Sequence, residues 1–135
     1  MPQKKVPLID TNVILRYLLN DVPEQSEASS KLMEKLISSE EVYLHDVVIA
    51  ELVWTLEKFY QVPKSKIRKI ISELLLIKGL LVSNRSILLK ALELFAEKNI
   101  DFADALIASM AMANEAEVIT FDKDFRKVNV SIRSI

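Results

Sequence analysis

From Phe102 to Ala113 every residue is apolar except Asp104 and Ser109. A stretch of this length, apolar all round, predicts a helix buried in the core. A carboxylate inside such a helix is costly unless hydrogen bonds, a counter-charge or a metal ion stabilises it, so Asp104 points to function. Asp101, three residues earlier, shares its helical face; it reads first as the cap of the helix, and second as an acid supporting Asp104. The pattern recurs in Val47–Leu56, where Glu51 is the one charge among ten residues. Asp10 ends a short apolar run, Val6–Ile9, and Asp122 ends another, Glu117–Phe121. The carboxyl end of a strand is where open α/β sheets place their ligands; Asp10 suits a helix N-cap equally well.

In a parallel sheet, Asp10, Glu51, Asp104 and Asp122 can converge on one edge. Like charges raise each other's pKa, so such a group does not stay ionised without cations. Hard, oxygen-seeking Mg²⁺ or Mn²⁺ resolves the repulsion. One or two such ions can generate a hydroxide nucleophile and stabilise the leaving oxygen of a phosphodiester. The chain has no cysteine and a single histidine, His45, which leaves little room for thiolate, zinc or imidazole chemistry. His45 precedes a helix and reads as a capping or packing residue. Metal-assisted phosphodiester hydrolysis fits this inventory best. Near Asp122 stands a second acid, Asp124. Asp122 continues the Thr120 side of its strand, whereas Asp124 precedes Phe125-Arg126-Lys127 as the cap of a short turn.

Hydrophobic periodicity supplies the elements that must position these acids. Strands are predicted at Val6–Ile9, Val42–Leu44, Leu80–Val82 and Glu117–Phe121, with a short edge strand within Val128–Ile135. Helices are predicted at Val13–Leu19, Glu24–Ser38, from Asp46, Pro63–Lys78, Ser86–Lys98 and from Phe102. Gly79 reads as the residue that ends the Pro63–Lys78 helix, Lys64, Lys66, Arg68 and Lys69 as its solvated face, and Trp54 as core. A strand followed by two helices, three times over and then a strand, predicts an α/β fold: a central parallel sheet with helices on both faces. No glycine-rich loop follows any strand, which disfavours a dinucleotide or Walker-type site.

The chain has 135 residues, the size of one domain spanning 1–135. Half the residues are hydrophobic and 27% charged, a globular composition. The formal net charge of −1 gives no general field for polyanions, so contacts to a nucleic acid would come from local basic groups. Met1–Lys5 lacks the apolar core of a signal peptide, and the longest uncharged apolar run is too short to span a bilayer. A soluble, cytoplasmic protein with no membrane partner is expected.

The phrases Ile9-Asp10-Thr11-Asn12-Val13, Ala50-Glu51-Leu52-Val53-Trp54, Asp101-Phe102-Ala103-Asp104-Ala105-Leu106-Ile107-Ala108 and Val118-Ile119-Thr120-Phe121-Asp122 resemble, in order, the acidic motifs of the PIN-domain family. Among its members the chain looks most like the VapC-type ribonuclease toxins of prokaryotic toxin–antitoxin pairs. The resemblance covers essentially the whole chain. It implies a PIN-like three-layer fold with a central parallel sheet of four to five strands. It implies a Mg²⁺- or Mn²⁺-dependent endoribonuclease that acts as a homodimer and is inhibited by a VapB-type antitoxin. It assigns catalysis and metal binding to Asp10, Glu51, Asp104 and Asp122, with Asn12, Thr120 and Asp101 supporting them. Where many toxins read Thr-Arg-Asn, this chain reads Thr120-Phe121-Asp122; Arg16 is the substitute expected to touch RNA. The exposed parts of Glu24–Ser38 and Pro63–Lys78 offer dimer contact surface. The other readings are a PIN-like nuclease of RNA or DNA processing without an antitoxin, and a non-catalytic nucleic-acid-binding module.

Overall fold

The computed structural model describes residues 5–135, so the expectation drawn from the first residues of the chain falls almost wholly outside it. The helices are α1 (Thr11–Leu19), α2 (Pro23–Ser38), α3 (Asp46–Trp54), α4 (Lys64–Leu75), α5 (Arg85–Lys98) and α6 (Phe102–Ala113). Their limits follow local chemistry. Asp10, His45 and Asn84 each accept a backbone N–H at a helix start, Pro23 occupies the first turn of α2, and Asn20 and Asn99 adopt left-handed backbone after α1 and α5. Among the described residues no helix is long and apolar enough to cross a membrane.

The strands β1 (Val42–Tyr43), β2 (Leu80–Leu81), β3 (Val118–Ile119) and β4 (Ile132–Arg133) are shorter than expected. All pairing is parallel, as the alternation of elements predicts: β1 with β2, β3 with β4, and Leu8 bridging to Tyr43. The expected central sheet of four to five strands is not what the hydrogen bonds among the described residues form. They form two two-stranded ladders, with the Leu8 segment beside β1. Two of the segments are ended locally at their carboxyl ends: Asp10 caps a helix immediately after Ile9, and Asp122, two residues after Thr120, caps a short 3₁₀ turn, Lys123–Lys127.

The core draws on every helix. Ile14, Met33, Ile49, Leu52, Ile67, Ile71, Leu75, Leu92, Phe95 and Ala105 are buried. Between α5 and α6 the buried residues Ala91, Ala105 and Ala108 allow close approach, and the Ser109 hydroxyl donates to the Ile87 carbonyl at 2.7 Å. Gly79 does not end α4 in left-handed backbone: it has no positive φ. It is glycine because a Cβ there would collide with the backbone of Leu36 and Glu40, where its own N–H donates to the Leu36 carbonyl at 2.8 Å.

Three further expectations change. Neither α3 nor α6 is buried all round. Val47, Glu51 and Trp54 form an exposed stripe on α3, and Ala103, Ile107 and Met110 form one on α6. Trp54, expected in the core, is 62% exposed. Both stripes follow the i, i+4, i+7 spacing of one helical face, the face that no other element covers. Lys64, expected on a solvated face, lies with Nζ 4.5 Å from the centroid of the Phe95 ring and donates to the Ile100 carbonyl at 3.3 Å. A cation over an aromatic face keeps part of its stabilisation on leaving water.

Candidate functional site

The first part of the site forms where the Leu8–Ile9 segment becomes α1. Asp10 is exposed, and its Oδ1 accepts the Thr11 N–H at 2.8 Å; the capping reading therefore holds, with the second carboxylate oxygen left over. Thr11, buried at the first position of α1, donates its hydroxyl to Glu51 Oε2 at 2.5 Å. This bond joins α1 to α3 across forty positions of sequence. The sequence alone assigns Thr11 no role. Its place beside Asp10 is a weak signal, and nothing local names a partner so far away.

The second part lies at the start of α6 and the end of β3. Asp101 occupies the N-cap position of α6, but its side chain accepts no capping bond. Its carbonyl holds the Ala105 N–H at 2.9 Å. Asp104 is half-buried. Its carboxyl is held above the ordinary aspartate range, first by burial and then by the negative charges of Asp122, Asp101 and Asp124. Three other aspartates are therefore close enough to act on Asp104. Thr120 accepts the Asp122 N–H on its hydroxyl at 2.9 Å.

Glu51 and Asp101 line one cleft of about 440 Å³ between α3 and the start of α6, and this cleft relates the two parts of the site. The donor set consists only of carboxylate and hydroxyl oxygens, the chemistry that suits a hard divalent cation. The crowding around Asp104 is the repulsion that such a cation relieves. Among the described residues, no group of three or more His, Asp or Glu side chains stands close enough together to hold a metal ion.

Asn12 is exposed on the first turn of α1. The Arg16 guanidinium donates to both carboxylate oxygens of Asp21, at 2.9 and 2.8 Å, so the side chain expected to reach RNA is tied to the end of its own helix. His45 caps α3, its Nδ1 accepting the Val47 N–H at 3.0 Å, as the sequence suggests.

The roles of Asp122 and Asp124 are redistributed. Asp122, not Asp124, caps the short turn, accepting the Asp124 N–H at 2.8 Å. Asp124, partly exposed, pairs with the exposed Lys127 at 3.2 Å. Asp122→Ala is expected to lose about 1 kcal/mol as a lost cap and to weaken metal binding and cleavage roughly tenfold. Asp124→Ala removes an exposed pair worth under about 1 kcal/mol and leaves cleavage near wild type. Thermal unfolding and Mg²⁺ titration of both variants check this; a larger loss of metal affinity in Asp124→Ala would reverse the assignment.

Compared with known families, the chain is matched over residues 8–130 by the family described as the PIN domain. No curated protein matches the chain as a relative.

Proposed function

This chain belongs to the PIN-domain family, a nuclease-type fold that commonly works with divalent metal ions, and on that premise we propose that it is a Mg²⁺- or Mn²⁺-dependent endoribonuclease of the VapC toxin type. The observation that carries the reading is the crowding at Asp104. Burial together with Asp122, Asp101 and Asp124 disfavours its ionised form, an arrangement that costs stability unless a cation is bound there. In this reading Asp10, Glu51, Asp104 and Asp122 hold the ion. When bound, it supplies Lewis-acid activation of water and charge stabilisation at the leaving oxygen.

The chain's own residues do the rest. Thr11 fixes the Glu51 carboxylate through its hydroxyl. The capping bonds on Asp10 and Asp122 each hold one oxygen and so orient the other. Thr120 sets the backbone at Asp122, and Asp101 and Asp124 add to the negative potential that draws cations to Asp104. Arg16, paired with Asp21 in the free protein, is the basic side chain offered to the RNA. A VapB-type antitoxin and a second copy of the chain are the partners that belong to this role.

The test is cleavage of single-stranded RNA with and without metal. Incubation with Mg²⁺ or Mn²⁺ is expected to yield cut RNA, and excess chelator to stop the reaction, with added metal restoring it. Cleavage that persists unchanged in chelator, or no cleavage with either ion, counts against the proposal.

A further inference from the structure

Val47, Glu51, Trp54 and Lys58 follow one another at intervals of four, three and four, and all are exposed. Trp54 therefore lies one helical turn from Glu51, on the same face, with Cβ atoms roughly 5–6 Å apart. An indole left in water along an apolar stripe calls for a reason, because large apolar side chains in contiguous exposed patches mark contact sites. Here the patch is concave. Val47, Ala50 and Trp54 form one wall of the cleft, Phe102 and Ala103 the other, with Glu51, Glu57 and Asp101 on its lining and Lys58 the one cation there among the described residues. Lys58 is held only loosely, 3.7 Å from Glu57, with its side chain 53% exposed.

We infer that this cleft is a nucleobase site: Trp54 stacks on one unpaired base of the RNA next to the phosphate that is cut, and Lys58 meets the sugar-phosphate chain beyond it. The inference rests on the nuclease reading and adds the substrate's form, single-stranded at that nucleotide. A base has an apolar face to lay on the indole, and its attached phosphates are anionic. The lining offers a matching succession, with Glu51 and Asp101 beside an apolar aromatic wall, and Lys58, paired with Glu57, along the same helical face. An aromatic platform beside a basic group is how single strands are held without sequence readout. A duplex cannot use the platform, since its bases are already stacked on each other.

Trp54 is the only tryptophan in the chain, so its fluorescence reports this one position. The experiment titrates Asp104→Asn protein with a short mixed-sequence single-stranded RNA in Mg²⁺, and separately with the same RNA as a duplex. Saturable quenching by the single strand is expected, with the same midpoint as anisotropy of the labelled RNA, and little quenching by the duplex. In that assay Trp54→Ala is expected to weaken RNA binding about 30-fold, near the middle of what one stacked base contributes, with Trp54→Phe losing less. Three results overturn the site: RNA bound with Trp54 emission unchanged, Trp54→Ala binding as tightly as its parent, or emission that shifts with protein concentration and ignores RNA. The last would mean that a second copy covers the cleft. Cutting by wild-type protein without any Trp54 response removes the base site and leaves the nuclease reading. Quenching without cutting does the reverse.

Discussion

Asp104→Asn is expected to abolish RNA cleavage and, in metal-free protein at neutral pH, to raise the unfolding temperature. Both effects come from one carboxylate. Asn is nearly isosteric but carries no charge, so it cannot complete a hard-cation site. The sign of the stability change follows from the direction of the pKa shift. Burial, with Asp122, Asp101 and Asp124, holds the folded-state pKa of Asp104 above its unfolded value. The relative stability of the folded state is thus full below the unfolded pKa and is lost as pH rises through the folded pKa. At neutral pH the wild type carries this loss, and the Asn variant does not. Its advantage should therefore fade as the pH is lowered into the range where Asp104 is protonated. Added Mg²⁺ should raise the unfolding temperature of the wild type, since a ligand of the native state stabilises it, and raise that of the variant much less. Unfolding scans across pH, run beside a cleavage assay, read all of this. A variant that still cuts at the wild-type rate would remove Asp104 from the chemistry, and one that is less stable at neutral pH would refute the crowding.

Thr11→Val is expected to lower cleavage roughly 10- to 100-fold, the range found when a group that orients a metal ligand is removed. The Thr11 hydroxyl is the partner that Glu51 Oε2 has in the protein, at 2.5 Å. Valine keeps the shape of the buried side chain at the first turn of α1, so the change takes away the donor and little else. Stability should fall by about 1 kcal/mol, as for one hydrogen bond lost. The decisive reading is the comparison with Thr11→Ser, which restores the hydroxyl and should restore most of the activity. If both variants cut like wild type, Thr11 serves packing alone. If both are equally impaired, the hydroxyl alone does not account for the role of Thr11, and the methyl group that serine lacks is needed as well.

Much of this molecule was legible in order along the chain because the forces that set it are local. Helix starts are written in capping residues such as Asp10, His45 and Asn84, whose partners lie within three positions. Helix extents are written in 3.6-residue periodicity, and the parallel pairing in the alternation of strands and helices. The acids of the site were readable for the same reason: an isolated charge in an apolar stretch is conspicuous without any knowledge of its neighbours.

What tertiary structure decided is everything that depends on which surface meets which. Asp101 looked like a cap and is instead one of the charges that crowd Asp104, while the cap expected of Asp124 is made by Asp122. Gly79 was read as a helix end, and its cause is the backbone of Leu36 and Glu40 packed against it. Trp54 and Ile107 have the apolar character of core residues yet lie exposed, because a helix can be apolar on every side and still be covered on only some of them. Hydrophobicity is a property of the residue, whereas burial is a property of the neighbours that reach it. Thr11 and Glu51 are forty positions apart, and only the packing of α1 on α3 brings hydroxyl and carboxylate into contact.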